Sequence, residues 1–286
     1  MGQEILQEPD LASLCERCGG AHLRYLLVDA GDDELRLTQN AQPALCFTGI
    51  ALSQVLRESG LEPAAAAGHS VGEYAALACA GVFSPEDAVA TVMERGRAMA
   101  ETVEAGRTGM SAVLGLAPEE VAAALAGVGE CWPANYNTPT QTVIGGSREA
   151  LARAGETLKA KGARRVVELN VSAAFHTPAV AGATERLRRH LETIDWRRPR
   201  IPVMANLTGA AYPDGANLPE ILERQLKSPV RWSECVRSLT ELGVTDFIEV
   251  GPRRALAGML KELAPGAGAH AVATPAAARD LAASLQ

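Results

Sequence analysis

The segment Gly68-His69-Ser70-Val71-Gly72 places a serine between two glycines at the G-x-S-x-G spacing of a nucleophile elbow. Such a turn holds the serine hydroxyl out on a tight corner between a strand and a helix, where flanking side chains would block the approach of a carbonyl. A helix that starts beside Ser70 also aims backbone N–H groups, including that of Val71, at the position where an oxyanion would form. The spacing therefore predicts a serine nucleophile that attacks a carbonyl carbon.

An activated serine needs a general base, and histidine is the usual one because its pKa lies near neutrality. The chain has five histidines. His69 adjoins the serine, but its side chain is expected to point away across the elbow. Three others stand in polar stretches or in the C-terminal segment: His22, His190 and His270. His176 follows a run of small and apolar residues that suits a buried cleft, so it is the candidate base, with a purely structural histidine as the alternative.

The elements that must position these residues alternate between apolar strands and amphipathic helices, which indicates an α/β fold with a largely parallel sheet. Ala64–Ala67 is expected to form a short buried strand before the elbow, and residues 71–80 a helix that Gly81 closes. Ser84, followed by proline and two acids, is expected to cap a helix that runs to about Glu104. These elements would place Ser70 at the end of a strand.

Between residues 107 and 170 the order of elements becomes βαββαβ, which is a ferredoxin-like unit. The predicted strands are Met110–Leu116, Cys131–Tyr136, Gln141–Gly145 and Arg164–Leu169, and the helices are Pro118–Ala126 and Arg148–Lys161. This unit would be inserted into a catalytic domain made of residues 1–106 and 171–286. The segment from Ala264 onward is rich in alanine, glycine and proline and is expected to pack loosely, with one short helix near its end.

Composition bounds the possible functions. A chain of 286 residues with 47% apolar content can bury a full core. The net charge of −7 argues against a nucleic-acid partner, which would need a concentrated basic surface. No run of about 18 apolar residues predicts a membrane span, and the acidic first residues do not suit a signal peptide, so a cytoplasmic protein is expected. Six scattered cysteines predict no disulfide framework, and Cys15-x-x-Cys18 has no second pair with which to hold a metal.

The elbow is one of several motifs that stand along the chain in the same order as in the malonyl-CoA:acyl carrier protein transacylases, and together they resemble that family. The matching segments are Gln42-Pro43-Ala44-Leu45, Gly68 to Tyr74, Glu94 to Met99, Asn135 to Pro139, Ala174-Phe175-His176, Gln225 to Trp232 and Glu249 to Pro252. The resemblance extends from Met1 to about Leu260. It implies an α/β-hydrolase-like domain with a ferredoxin-like insert, in agreement with the order of elements.

The resemblance implies a two-step transfer. Ser70 would take the malonyl group of malonyl-CoA while His176 accepts its proton, and the phosphopantetheine thiol of an acyl carrier protein would then attack the malonyl-serine ester. The backbone carbonyl of Gln225 would orient His176, and Val71 would donate its N–H to the oxyanion. No bound cofactor is implied, and the product would feed fatty acid or polyketide synthesis. A monomer is expected.

The resemblance also assigns a set of residues to substrate binding: Arg95, Met99, His69, Phe175 and Asn137. Arg95 would grip the malonyl carboxylate through its planar guanidinium, and the alternative is an exposed arginine paired with Glu94 or Glu101. Val71 and Phe175 match the malonyl-selecting forms of their motifs. Met99 would line the pocket or simply belong to the core.

Members of this family usually begin with an apolar strand and a Gly-Gln-Gly-Ser-Gln loop, and Met1-Gly2 matches the segment just after that loop. Because Met1-Gly2 matches the segment after the loop, we expect a start codon placed too far downstream or a truncated chain. The loop supplies an oxyanion-hole glutamine in this family, so the activity of the chain as written is in doubt. Two other functions use the same residues. One is an acyl-CoA hydrolase or thioesterase, and the other is a non-catalytic, acyltransferase-like docking protein.

Overall fold

The computed structural model describes residues 2–102, 106–171 and 173–286, and twelve α-helices and six β-strands lie in these ranges. The helices are α1 (Pro9–Val28), α2 (Asp32–Leu35), α3 (Thr38–Glu58), α4 (Gly72–Cys79), α5 (Pro85–Thr102), α6 (Pro118–Leu125), α7 (Arg148–Ala160), α8 (Thr184–Leu191), α9 (Leu218–Leu226), α10 (Trp232–Glu241), α11 (Ala255–Leu263) and α12 (Pro275–Leu285). The strands are β1 (Thr108–Leu114), β2 (Cys131–Thr138), β3 (Gln141–Ser147), β4 (Arg165–Leu169), β5 (Asp246–Val250) and β6 (Gly268–Val272). The α/β class is confirmed.

The predicted ferredoxin-like unit is confirmed. Its four strands form an antiparallel sheet in the order β2-β3-β1-β4, and α6 and α7 cover one face around a core that includes Val113, Ile144 and Leu158. Each observed element agrees with its predicted bounds to within two residues. The division of the chain at residues 107 and 170 stays a prediction.

Backbone hydrogen bonds attach this sheet to the rest of the chain. The Tyr136 N–H donates to the Val230 carbonyl at 2.8 Å, and the Val230 N–H donates to the Ala134 carbonyl at 2.9 Å. The segment that follows α9 thereby pairs in parallel with the outer edge of β2. Because α9 carries Gln225, the ferredoxin-like sheet is fixed relative to that residue.

The parallel sheet of the other domain is smaller than the sequence predicts. Among the described residues its pairing consists of β5 with β6 and a single bridge between Ala66 and Val203. The expectation of a buried strand at Ala64–Ala67 is wrong in its burial, since Ala64 is exposed and the next three residues are half-buried. Hydrogen bonds join one edge of this segment to Pro202 and Met204. The four alanine side chains are too small to cover the backbone of the segment, so it stays partly exposed.

Helix α5 begins as its capping residues predict. The Ser84 hydroxyl accepts a hydrogen bond from the Asp87 N–H at 3.0 Å, and Pro85 occupies the first helical position. The helix is described as far as Thr102, and its predicted end at Glu104 lies outside the described residues. α5 packs closely on α3, because a Cβ on Gly96 would lie 2.8 Å from the Gln39 Cα. This approach brings the preceding residue, Arg95, beside α3.

The expectation of a loosely packed C-terminal segment is wrong. Residues 268–272 form β6, which pairs in parallel with β5 along its whole length. α12 follows, and its buried residues, among them Ala278 and Ala282, are fully enclosed. The segment packs well despite its composition, because small alanine side chains allow close contact with α3. No helix in the described ranges has both the length and the apolar character needed to span a membrane.

Candidate active site

Ser70 lies on the predicted elbow in a backbone conformation that few residues other than glycine adopt. Its φ is 53°, in the left-handed region. Gly68 is required by close contact, because a Cβ there would lie 2.0 Å from the carbonyl carbon and oxygen of Gly72. α4 begins at Gly72, directly after the serine. The Val71 N–H has no hydrogen-bond partner in the described part of the chain, so it is free to donate to an oxyanion.

His176 lies against the serine, as predicted for a general base. Its Nε2 is 2.6 Å from Ser70 Oγ, and its Nδ1 is 3.1 Å from the backbone carbonyl of Gln225. A carbonyl oxygen only accepts, so Nδ1 carries the proton and Nε2 accepts from the serine hydroxyl. The histidine is 4% exposed. Burial, reinforced by the charge of Arg95, lowers its pKa to about 3, so the ring is neutral at pH 7, which is the form that can accept a proton.

This lowered pKa has a measurable effect on stability. Because the pKa of His176 in the folded chain lies below its ordinary value of 6.5, the histidine is protonated in the unfolded chain but neutral in the folded chain between pH 6.5 and pH 3. The stabilising contribution of neutral His176 is complete above pH 6.5 and is lost as the pH falls towards 3. The decrease in the free energy of unfolding from pH 7 to pH 5 is expected to be about 2 kcal/mol larger in the parent chain than in His176→Gln.

Urea unfolding at the two pH values measures this difference, and His22→Gln, which alters an exposed histidine, is the matched control. Equal losses in the parent chain and in His176→Gln would contradict the assignment. Glu73 does not disturb the comparison, since the same carboxyl is present in both proteins.

Arg95 reaches the serine from α5 and is 1% exposed. Its Nη2 donates to Ser70 Oγ at 3.1 Å and to Gln225 Oε1 at 3.3 Å, and its Nη1 donates to Gln42 Oε1 at 2.6 Å. The alternative of an exposed arginine paired with its helix neighbours is therefore wrong. Glu94 and Glu101 pair instead with Arg186 of α8. A buried guanidinium at the nucleophile suits a substrate that carries a carboxylate.

Gln42 and Met99 lie behind the guanidinium. The Gln42 amide nitrogen donates to Thr38 Oγ1 at 2.7 Å and lies 3.3 Å from Met99 Sδ, so its oxygen must face Arg95. Met99 is 2% exposed and belongs to the main core, the large apolar cluster that includes residues of α1, α3 and α5. In this structure the methionine contacts the residue that orients Arg95, and a place in the substrate pocket stays a prediction.

His69 and Asn137 form a second pair beside the catalytic one. His69 Nε2 is 3.0 Å from Asn137 Oδ1, and the imidazole lies 5.6 Å from the Trp232 ring. Burial lowers the pKa of His69. This contact joins the elbow to β2 of the ferredoxin-like sheet. Phe175 is half-buried between the main core and a small cluster at β1–β3, so these three residues line the boundary between the two units.

Three features of the site have no clear signal in the sequence. Asn206 accepts a hydrogen bond from the Ser70 N–H at 2.6 Å and donates to the Gly68 carbonyl at 2.8 Å, which fixes the elbow from outside. The Gln225 side chain donates to the Ser70 carbonyl at 3.0 Å, in addition to the backbone contact with His176. Glu73, on the first turn of α4, is fully buried behind both residues.

No group of three or more His, Cys, Asp or Glu side chains among the described residues is arranged to hold a metal ion. Cys15 and Cys18 are buried on α1, and burial raises the pKa of their thiols to about 11 and about 12. The chemistry described above needs only the serine, the histidine and the arginine.

Comparison with known proteins gives one consistent result. Residues 5–283 match the family model described as an acyl transferase domain. The chain is similar to the malonyl CoA-acyl carrier protein transacylase of Bacillus subtilis, with 40% identity over 245 residues that cover 84% of this chain and 77% of that protein. It is also similar to the structure of a transacylase of the same name from Clostridium perfringens, with a TM-score of 0.94, 33% identity and coverage of 100% and 92%. A third similar structure holds a type II PKS acyl-carrier protein in complex with its malonyl-transacylase, with a TM-score of 0.92, 35% identity and coverage of 97% and 93%.

Proposed function

The chain belongs to the acyl transferase domain family, among the malonyl CoA-acyl carrier protein transacylases, and from this premise we propose that it transfers a malonyl group from malonyl-CoA to an acyl carrier protein. The observation that carries the proposal is the buried Arg95 guanidinium, 3.1 Å from the oxygen of a serine that is itself hydrogen-bonded to a neutral histidine. A site built this way can attack a thioester and at the same time neutralise a carboxylate on the acyl group.

In the first half of the reaction Ser70 Oγ attacks the thioester carbonyl while His176 Nε2 accepts the hydroxyl proton. The Gln225 carbonyl holds the Nδ1 proton and keeps the ring in the productive tautomer. Charge that develops on the carbonyl oxygen is met by the Val71 N–H. Collapse of the tetrahedral adduct breaks the C–S bond, and the imidazolium returns its proton to the coenzyme A thiolate.

The second half runs the same steps in reverse with a different thiol. The phosphopantetheine thiol of the carrier protein gives its proton to His176 and attacks the malonyl-serine ester. The C–O bond of the ester then breaks, and the imidazolium returns the proton to Ser70 Oγ, which is released as the free hydroxyl. The malonyl carboxylate stays bound to Arg95 through both halves. No metal or bound cofactor enters either step.

Separate features of the site favour transfer over hydrolysis and over simple docking. A thioesterase needs the serine and the histidine but has no use for a buried cation at the acyl group. A docking protein needs neither the left-handed Ser70 nor the hydrogen bond between Ser70 and His176. The neutral histidine and the free Val71 N–H are both features of an active centre.

The carrier protein and the compartment also belong to the proposal. Carrier proteins are generally acidic, and the ferredoxin-like unit presents four exposed basic residues that could receive one: Lys159, Lys161, Arg164 and Arg165. We place the reaction in the cytoplasm, where the six free cysteines would stay reduced. The chain is proposed to act as a monomer.

The test is to incubate the chain with malonyl-CoA and measure its intact mass. We expect a single malonyl adduct on Ser70, identified by peptide mapping, which disappears when a phosphopantetheine-bearing carrier protein is added and reappears on the carrier. Release of free malonate faster than transfer would indicate a hydrolase instead. A chain that forms no adduct would refute the proposed catalytic function.

A further inference from the structure

Glu73 is a buried carboxyl that the reaction as described does not use. It follows the nucleophile by three residues and is completely enclosed. Burial raises its pKa to about 7, even though its hydrogen bonds and the nearby charge of Arg95 favour the ionised form. Because a buried acid costs stability unless its neighbours compensate for it, the surroundings of Glu73 point to a role beyond packing.

Three donors converge on this carboxyl group. The Tyr212 hydroxyl donates to Oε1. The Gln225 amide nitrogen donates to Oε2 at 3.0 Å, and the Asn206 N–H donates to the same oxygen at 3.2 Å. Asn206 and Gln225 both also contact Ser70, so the carboxylate holds the two residues that hold the nucleophile.

Gln225 connects the Glu73 carboxylate to the base, the nucleophile and the cation of the site. Its backbone carbonyl accepts from His176, its Nε2 donates to the Ser70 carbonyl, and its Oε1 accepts from Arg95. A glutamine amide can flip by half a turn, but here a carboxylate faces the nitrogen and a guanidinium faces the oxygen. Only one orientation satisfies both neighbours, and the Glu73 oxygen is the acceptor that selects it on one side.

We propose that Glu73 is a positioning residue for the acyl transfer, which acts through Gln225 to aim His176 and Arg95 at Ser70. This role rests on the proposed function, because it concerns the same three groups. Glu73 does not touch the reacting atoms, and it forms no hydrogen bond with His176. Its contribution is to fix the amide that joins the cation, the base and the nucleophile.

The test is a single-turnover acylation time course, read by intact mass, on the full chain with malonyl-CoA. We expect Glu73→Gln to lower the acylation rate constant by about 10- to 100-fold, because displacements of about 1 Å at a reacting centre cost rates of this order. The final extent of acylation should stay within about twofold of the parent chain. A merely structural defect would instead reduce the fraction of acylated molecules and leave the rate constant of the folded ones unchanged.

A second variant tests whether the effect travels through Gln225. Gln225→Ala keeps the backbone carbonyl on His176 and removes only the amide. In that background we expect Glu73→Gln to cost less than about threefold, since Asn206 is then, among the residues that the structure describes, the one remaining partner of Glu73 that also holds Ser70. Thr48→Val is the matched control, because Thr48 is equally buried on α3, donates only to the Ala44 carbonyl and should change neither rate.

Two results would overturn the proposal. One is an unchanged acylation rate constant in Glu73→Gln, and the other is the same loss with and without the Gln225 amide. If Glu73→Gln does not fold, Tyr212→Phe removes one donor from the carboxylate and should give a smaller loss that also disappears in the Gln225→Ala background. A parent chain that forms no malonyl adduct would refute the proposed function itself, which keeps the two failures distinguishable.

Discussion

Replacing Ser70 with alanine is expected to abolish the malonyl adduct and to lower the rate of malonyl transfer by about a million-fold, as loss of the serine does in a serine protease. The reason is geometric. The hydroxyl oxygen lies 2.6 Å from His176 Nε2, and a methyl group in its place can neither give up a proton nor form an ester. Intact mass after incubation with malonyl-CoA, together with transfer to the carrier protein, measures both effects.

Ser59→Ala is the control for this substitution. Ser59 directly follows α3, and its hydroxyl donates to the Val55 carbonyl at 2.8 Å rather than to a residue of the site, so adduct formation should be unaffected. A malonyl adduct that persists in Ser70→Ala would contradict the assignment and would require another nucleophile. The buried thiols are poor candidates, since burial raises the pKa of Cys131 to about 11 and raises that of Cys46 further.

The features that sequence reasoning finds are those that depend on short stretches of chain. The elbow can be predicted from its two glycines, because glycines at this spacing are typical of a tight turn around a nucleophile. At Gly68 a Cβ would clash with the backbone of Gly72. The βαββαβ unit follows from local periodicity and from helix caps such as Ser147, whose hydroxyl accepts from the Ala150 N–H. In both places the local preferences agree with the fold, so the sequence pattern is sufficient.

The features that sequence reasoning misses depend on pairing between distant residues. Ala64–Ala67 has the composition of a buried strand, but its burial depends on neighbouring strands that its own composition does not encode. β6 is missed for the opposite reason. Its composition of small residues suggests a loose segment, and only pairing with β5 makes it a strand.

The same limit applies to the site. Ser70, His176 and Arg95 belong to motifs that chemistry makes recognisable. Their supports do not, because Glu73 and Tyr212 are 139 residues apart and Asn206 is 136 residues from the serine it holds. Hydrogen-bond networks of this kind have no periodicity. In the sequence, a glutamate on the first turn of a helix is explained by its favourable interaction with the helix dipole. Its burial is visible only in the structure.

Arg95 should decide which acyl group the enzyme accepts. The guanidinium is enclosed, its charge lies near that of Glu73 without a direct contact, and its Nε has no hydrogen-bond partner among the described residues. A malonyl carboxylate would supply the missing negative charge at short range, whereas an acetyl group would leave the cation as it is. Because a buried, hydrogen-bonded charge pair is worth several kcal/mol when one partner is removed, the preference for malonyl over acetyl depends mainly on this residue.

We therefore expect Arg95→Ala to lower the ratio of kcat/KM for malonyl-CoA to that for acetyl-CoA by about 100- to 1,000-fold. Arg95→Lys should recover only part of the preference, because one ammonium group cannot replace two guanidinium nitrogens that face Gln42 on one side and Ser70 on the other. Arg97→Ala is the matched control, since Arg97 lies two residues along α5 with its side chain exposed. Equal losses for both substrates in Arg95→Ala would instead assign the arginine to the support of Ser70, and an unchanged ratio would exclude it as the carboxylate-binding residue.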